Sequence, residues 1–421
     1  MATTTGTQQA PSSSLPTELL VDIFQQLDNR ALLAVAQTCR HLHAIALSLY
    51  LDRNEIVHPL GKDLDIVTER EHKNLPLIGA LHPLSHVDTL AVTYKKVPTA
   101  RLCKVIRTAQ LFVSRAASVR DFEIHLDYFD TGDLASSGAD ILQALDALIG
   151  ALDGKLHNMF YIDSQCYSYR GKWQGSGVPR LIARPLRTLS AVHICGDFMF
   201  HEACIRWMTE TLNISPITSL HISLLSYVII ANWAEFTGRL ALPNLLSLDL
   251  GGFKGVRIRD LAAFLRRHPT LRQFRCIGEL AGERTILGMG RTNALPASAL
   301  PNLSELEANA QVAWLVLARG AAPQLAKLVL QDVGRSLESP RHEKFGDYVQ
   351  NALESLVGRK QSLELVVGFY KLSRDFLFAS PGRRDARVET KARCVRALTI
   401  SHFLHWSEYV DESFAIVRYH I

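Results

Sequence analysis

Residues 242–250 read LPNLLSLDL, and three later segments repeat this arrangement of residue types. They read HPTLRQFRC at 268–276, LPNLSELEA at 300–308 and APQLAKLVL at 322–330. In each segment two residues separate a first apolar position from a second, and one residue separates the second from a third. An extended chain places those last two apolar side chains on one face and the residue between them on the other. The pattern therefore predicts a short strand that buries a single face.

The same apolar spacing recurs along most of the chain. Further copies begin at Val87, Val119, Leu189, Ile217 and Val395, and weaker copies begin at Leu156 and Leu363. Clear neighbours are 22 to 32 residues apart. The segments between them carry helical stripes, one formed by Leu261, Phe264 and Leu265 and another by Ile141, Leu142, Leu145, Leu148 and Ile149. Since a single strand–helix unit cannot bury its own apolar face, we expect neighbouring units to stack.

This recurrence resembles irregular leucine-rich repeats over most of residues 84 to 401. The resemblance implies an α/β solenoid with a curved parallel sheet, helices outside it and caps at its ends. We assign this solenoid, with its caps, to residues 59–421. The asparagine or cysteine that the family carries after each strand is mostly missing here. That departure predicts long, uneven connections between the units.

A different pattern lies upstream, where residues 15–27 read LPTELLVDIFQQL. Pro16 suits the first turn of a helix, and Glu18 faces the positive end of the helix dipole. The apolar residues that follow share one side of the predicted helix, and they are Leu19, Leu20, Ile23, Phe24 and Leu27. Two further helical patterns reach Ile56. A segment of about 40 residues cannot bury all this surface alone, so part of it must contact another protein or the next domain.

The order LPxELLxxIFxxL, followed by Cys39 and Arg40, resembles the F-box, a three-helix module that we place at residues 14–58. In that family the module docks onto the adaptor subunit of a cullin–RING ubiquitin ligase, and the rest of the chain presents a substrate. By this resemblance the residues expected to contact the adaptor are Leu15, Pro16, Leu19, Leu20, Ile23, Phe24, Leu27 and Leu32. The tryptophan often found shortly after the Cys-Arg pair is absent. The alternative is a set of helices that only caps the next domain.

In a leucine-rich arc the residue between the last two apolar positions faces the concave side of the sheet, so the resemblance implies a polar surface there. Leu248 should be buried and Asp249, beside it, exposed. The residues at the same position of other units are His193, His221, Arg275, Glu307, Val329 and Thr399. A polar face of mixed sign suits a protein partner better than an apolar small molecule. We expect a protein substrate to contact His221, Asp249, Arg275 and Glu307; the alternative is a merely solvated sheet face.

Composition narrows the class of protein. The chain has 421 residues, a net charge of +5 and seven scattered cysteines without a CxxC pair. The mild charge does not indicate nucleic-acid binding, and the cysteine pattern favours reduced thiols inside a cell, in the cytoplasm, the nucleus or both. Residues 1–13 are small and polar and predict a disordered tail. No apolar run is long enough to predict a membrane span.

Motifs for enzyme chemistry are absent from the sequence. It contains no phosphate-binding GxxxxGK[ST] loop, no HExxH and no GxSxG. His193, Cys195, His201 and Cys204 lie close together, but their spacing favours structural roles over a zinc site. We expect no cofactor, no metal and no catalysis by this chain. The two resemblances together imply a substrate-recognition subunit of an SCF-type ubiquitin ligase. The alternatives are a leucine-rich-repeat scaffold without a ligase link and an enzyme with an unrecognised site.

Overall fold

A computed structural model shows a group of N-terminal helices and a large, mostly parallel sheet. It describes residues 15–54, 63–66, 86–95, 99–129, 131–166, 183–196, 198–200, 202–223, 233–281, 294–331, 352, 356, 361–369, 395–403 and 414–420. The predicted tail at residues 1–13 lies outside the described residues. None of the helices in the described part of the chain is long and apolar enough for a bilayer crossing.

Three helices form the N-terminal module: α1 (Thr17–Gln25), α2 (Asn29–Ala36) and α3 (Arg40–Arg53). Asp28 is the N-cap of α2, and its side chain accepts a hydrogen bond from the Ala31 N–H at 2.7 Å. The side chains buried between the three helices include Leu32, Ala46 and Leu51. Both α1 and α2 contact α3, so α3 is the element that joins the module together.

The sheet is assembled in the order of the chain. The described strands are β1 (Asp63–Ile66), β2 (Val87–Lys95), β3 (Val119–Phe129), β4 (Leu156–Cys166), β5 (Ala191–Gly196), β6 (Ser219–Ser223), β7 (Ser247–Arg257), β8 (Gln273–Ala281), β9 (Glu305–Ala308), β10 (Lys327–Gln331), β11 (Leu363–Phe369), β12 (Val395–Phe403) and β13 (Phe414–His420). Each pairs with the next, and the pairs are parallel from β1 to β12. The last pair, β12 with β13, is antiparallel. The sheet is not closed.

Helices cover the apolar face of this sheet. They are α4 (Thr99–Arg115), α5 (Thr131–Leu152), α6 (Glu202–Asn213), α7 (Trp233–Arg239), α8 (Ile258–Arg266) and α9 (Ala310–Leu317), with a 3₁₀ turn at Phe198–Phe200. Contacts join α4 to α5, α6 to α7, α7 to α8 and α8 to α9. Parallel neighbours require such crossovers, because the chain must return from the end of one strand to the level at which the next strand begins.

The core is a stack of the apolar positions that define the sequence pattern. Leu248 and Leu250 on β7 are buried, as is Leu245 just before the strand, and the same holds for Leu328 and Leu330 on β10 and for Leu325 before it. Strand pairing places Leu248 beside Leu220 on one side and Phe274 on the other. Each unit therefore buries its apolar face against its two neighbours.

A repeated backbone contact fixes the spacing between neighbouring strands. The carbonyl oxygen of Thr218 accepts hydrogen bonds from the N–H groups of both Leu246 and Ser247. The carbonyls of Ser190, Leu246, Arg272 and Ser304 each accept two N–H groups from the next strand in the same way. The ladder thus begins at the same position of each successive strand.

His268 illustrates how the turns between units are held. Its Nδ1 lies 2.8 Å from the Phe264 carbonyl, and its Nε2 accepts a hydrogen bond from the Leu242 N–H at 3.1 Å. Burial lowers the pKa of His268 and keeps it neutral, which this donor-and-acceptor arrangement requires. The ring therefore joins the end of α8 to the turn that precedes β7.

The structure agrees with the strands expected from the apolar spacing. Each copy of the pattern, including the weak ones at Leu156 and Leu363, coincides with a parallel strand. The helical stripes at Leu261 and Ile141 lie in α8 and α5. Two strands were not anticipated, β1 and the antiparallel β13. Leu248 is buried as expected, whereas Asp249 is half-buried between neighbouring side chains.

Replacement of a stacked core leucine should destabilise the sheet strongly. Leu306→Ala removes a side chain that is 1% exposed on β9, and we expect the free energy of unfolding to fall by roughly 2–5 kcal/mol. Glu305→Ala on the same strand is exposed and should cost less than about 1 kcal/mol. Urea unfolding of both variants measures the difference. Equal losses would show that the strand register is wrong.

Candidate functional site

One candidate surface is an apolar stripe at the start of the N-terminal module. Leu19 and Ile23 lie one turn apart on α1, Leu15 lies just before the helix, and about half of each of these three side chains is exposed. We call Leu15, Leu19 and Ile23 the α1 stripe. Six large apolar side chains among the described residues are exposed, and three of them belong to this stripe. Such grouping on one helix face is typical of a protein-binding surface.

The opposite face of α1 packs against the rest of the N-terminal module. Leu20 and Phe24 are buried and face the core of the module. At the end of α3, Arg53 donates hydrogen bonds to the carbonyl oxygens of Leu27 and Gln25, the latter at 2.9 Å. A guanidinium at the last carbonyls of a helix satisfies acceptors that the helix itself leaves open. The α1 stripe is therefore presented by a helix that is fixed at its C-terminal end.

The predicted adaptor contacts separate into two groups. Leu15, Pro16, Leu19 and Ile23 are exposed, and Leu27 is partly exposed. By contrast, Leu20, Phe24 and Leu32 are buried among the three helices. The buried residues support the module in this structure, and the exposed group is available for direct contact.

A second candidate surface is a row of polar side chains across the sheet. Backbone pairing from β3 to β9 aligns Glu123, Tyr161, His193, His221, Asp249, Arg275 and Glu307. We call these seven residues the polar row. They lie opposite the buried leucines, and adjacent strands are about 4.8 Å apart. The row contains the substrate residues predicted from the sequence, which are His221, Asp249, Arg275 and Glu307.

The four predicted residues form a ladder of alternating charge. His221 Nδ1 lies 2.9 Å from Asp249 Oδ2, and an Arg275 Nη atom lies 3.1 Å from the same oxygen. Arg275 Nε lies 3.2 Å from Glu307 Oε1, which also accepts a hydrogen bond from the Gln331 amide. Each charge in the ladder therefore already has a partner of opposite sign.

These contacts shift the pKa values of His221 and Asp249 in the ladder. The hydrogen bond to Asp249, followed by one with the Cys195 thiol, raises the pKa of His221 from 6.5 to about 9. Burial acts to raise the pKa of Asp249, but His221 and Arg275 outweigh it and hold that pKa below its usual value. His221 is consequently an imidazolium and Asp249 a carboxylate at neutral pH.

The other half of the row is aromatic and acidic. The rings of His125, Tyr161, His193 and His221 follow one another with centroid separations of 5.0, 6.1 and 5.1 Å. Burial, and then the nearby charge of His221, lowers the pKa of His193, which keeps this ring neutral. Burial also raises the pKa of the Tyr161 hydroxyl, so the phenol remains protonated.

Two carboxylates flank these rings. His125 Nε2 lies 3.3 Å from Glu123 Oε2, and its Nδ1 lies 3.9 Å from Asp163 Oδ2. The contact with Asp163 raises the pKa of His125 most, Glu123 adds to the increase, and burial opposes it. The remaining oxygen of Asp163, Oδ1, is buried and has no hydrogen-bond partner among the described residues.

From this half of the row the sequence analysis placed only His193 on the polar face. Glu123 occupies the same repeat position as His221, so the register alone could have identified it. Tyr161 could not be placed in this way, because β4 has a register shift against β3 after Leu156, and Phe160 takes the buried position that the spacing gives to Met159. His125 and Asp163 lie two residues further along β3 and β4 on the same face, where the motif has no defined position. Of the four residues weighed as a zinc site, His201 lies outside the described residues and Cys204 is fully buried. Within the described chain no three His, Cys, Asp or Glu side chains are placed to hold a metal.

Comparison with known proteins identifies the N-terminal module. Residues 12–54 match the model of the F-box-like family, and this range spans α1, α2 and α3. The chain therefore carries an F-box-like domain, as the residues from Leu15 to Arg40 indicated. The match ends before the sheet, so the leucine-rich-repeat interpretation of the sheet stays a prediction. Among curated proteins, no sequence matches the chain.

The stability of the sheet should depend on the charge of His221. Its folded pKa of about 9 lies above the ordinary 6.5, so the stabilising contribution is complete below about pH 6.5 and is lost as the pH rises through about 9. His221→Gln should lower the free energy of unfolding by on the order of 1–2 kcal/mol at about pH 6, and the deficit should shrink towards pH 9.5.

Urea unfolding of wild type and variant across this pH range measures the effect. The control is His157→Gln, since His157 is an exposed histidine on β4, and this change should produce no comparable pH-dependent deficit. A deficit for His221→Gln that stays constant between pH 6.5 and 9 would contradict the assigned imidazolium–carboxylate pair.

Proposed function

We propose that this protein is a substrate-recognition subunit of an SCF-type E3 ubiquitin ligase. The observation that carries the proposal is the α1 stripe, which lies in a segment that matches the F-box-like family and stays outside the core of the module. F-box domains typically bind the adaptor subunit of cullin–RING ligases. An exposed apolar helix face suits a stable protein contact of this kind, because its burial removes apolar surface from water.

We propose that the sheet and its covering helices form a leucine-rich-repeat-like solenoid that holds a protein substrate. The stacked apolar positions, the repeated carbonyl contacts and the helix-to-helix contacts support this architecture. The polar row supports a protein ligand, because a polar face several strands wide suits a macromolecular partner better than an enclosed small molecule.

In this proposal the chain itself performs no chemistry. It contributes to ubiquitin transfer by placing the substrate close to a ubiquitin-conjugating enzyme, which raises the effective concentration of the reacting groups. The competing function is a protein-interaction scaffold with the same sheet and no ligase partner. Adaptor binding separates the two, because a scaffold has no need of the α1 stripe.

Loss of one exposed side chain from the α1 stripe should weaken adaptor binding without unfolding the module. Ile23 is 49% exposed, so Ile23→Ala leaves the helical core intact. If Ile23 is a central anchor, we expect a loss on the order of 2 kcal/mol, or about thirtyfold in affinity. Titration calorimetry with purified adaptor measures the affinity, and circular dichroism verifies the fold.

The matched control is Gln25→Ala, which changes an exposed polar side chain on the same helix and should alter affinity less than about twofold. Phe24→Ala should instead destabilise the module, because Phe24 is buried. Adaptor binding that survives removal of residues 15–56 would reject the proposed function, as would a failure of the intact chain to bind the adaptor.

A further inference from the structure

The segments that lead into successive strands carry charge of one sign only. Six of them precede β5 to β10, at residues 183–190, 213–218, 239–246, 266–272, 294–304 and 318–326. Together they contain seven arginines and no lysine, aspartate or glutamate. Because these strands are parallel neighbours, all six segments lie at the end of the sheet where the strands begin. Five of the arginines are exposed there and form what we call the basic rim, which consists of Arg187, Arg239, Arg266, Arg272 and Arg319.

Charges of the rim are not neutralised within the described part of the chain. No described carboxylate forms an ion pair with Arg266, Arg272 or Arg319. Arginines on the helices behave differently, since Arg206 and Arg259 lie 2.8 and 3.6 Å from carboxylate oxygens of their own helices. Like charges that lack counter-charges repel one another, so the rim is complementary to an anionic partner.

Helix dipoles explain only part of this rim. A cation near the C-terminus of a helix is favourable, and Arg239 and Arg266 are the last residues of α7 and α8. Arg272, however, lies six residues beyond the end of α8 and directly before β8. The dipole effect is confined to the last helical turn, so it does not account for an exposed arginine at that position.

Apolar side chains on the same rim indicate that the anionic partner is a protein. Outside the α1 stripe three large apolar side chains of the described residues are exposed, and two of them, Ile214 and Leu246, lie in these segments at 51% and 37% exposure. The Leu246 carbonyl accepts a hydrogen bond from the Arg272 N–H at 2.8 Å, so an apolar residue and a cation are direct neighbours. None of the six segments contains a phenylalanine, tyrosine or tryptophan, the side chains on which nucleic-acid bases stack.

Building on the proposed function, we propose that the basic rim binds an extended acidic segment of the substrate protein, with an apolar residue of that segment seated on Leu246. Arginine suits this role better than lysine, because its planar guanidinium can donate two parallel hydrogen bonds to one carboxylate. Five strand spacings separate β5 from β10, which amounts to about 24 Å. An extended segment of roughly seven or eight residues covers that length.

Peptide selection with the full-length chain tests the proposal. We expect a phage library of random twelve-residue peptides to yield sequences enriched in aspartate and glutamate. Replacement of their carboxylates by the matching amides should weaken binding at least about tenfold. A single-stranded RNA of twelve nucleotides is the second probe and should bind more weakly than the best peptide. RNA that binds as tightly or more tightly would overturn the proposal in favour of a nucleic-acid ligand.

Two matched double variants locate the binding site. Arg272→Gln with Arg319→Gln removes two charges of the rim and should weaken the best peptide at least about tenfold. Arg206→Gln with Arg259→Gln removes the same charge from exposed positions on α6 and α8, and affinity should stay within about twofold.

A third variant, Leu246→Ser, keeps every charge and should weaken the best peptide about 3- to 10-fold. Urea unfolding verifies the fold of each protein, and Leu246→Ser decides the matter if the rim double variant fails to fold. Equal losses in both double variants, or no loss in either, would overturn the proposal, as would selection of basic peptides.

Adaptor binding is measured on the same proteins so that the two proposals can fail separately. Acidic-peptide binding through the rim by a chain that does not bind the adaptor would retain the rim as a binding surface and reject the ligase function. Adaptor binding without enrichment of acidic peptides would retain the ligase function and overturn the assignment of the rim.

Discussion

The strands from β2 to β11 bury their repeated apolar positions on one common face, and this burial fixes the register on which the polar surface depends. Leu248, Phe274 and Leu306 stack side by side because each needs an apolar neighbour on the adjacent strand. A slip of one residue would bring Asp249 into the core and Leu248 into water. The apolar contacts therefore decide which residues form the polar row, although those residues contribute little to the core themselves.

The same constraint explains how much the sequence could predict. The spacing of Leu245, Leu248 and Leu250 indicates both that a strand forms and which of its faces is buried. The strands that share this spacing could therefore be predicted from the sequence. The pairing of β13 is different, because it runs antiparallel to β12 and the repeat pattern predicts parallel neighbours only. The α1 helix shows a related limit. Leu19 and Leu20 are adjacent in sequence, and only the position of α3 decides that Leu20 is buried.

The sequence predicted which residues join the polar row better than it predicted their ion pairs and protonation states. Cross-strand distances decide whether Arg275 is free or paired, and the sequence carries no such distances. Three histidines show the consequence. His268 is buried between two backbone groups and neutral, His221 is paired with Asp249 and charged, and His193 beside it is held neutral by burial and by that charge. One residue type is thus neutral at two positions and charged at a third, and the groups packed around each ring decide which.

The two candidate surfaces differ in the physical force that would hold a partner. The α1 stripe is apolar, so its contact gains free energy by removing apolar surface from water and should depend weakly on salt. The polar row would act through partly buried charges, whose attraction weakens as ionic strength rises. An F-box-like module and a polar sheet face joined in one chain can therefore combine a salt-tolerant contact with a salt-sensitive one. Under the proposed function, such a division suits a receptor that stays bound to its ligase while it exchanges substrates, since only the substrate contact would respond to ionic strength.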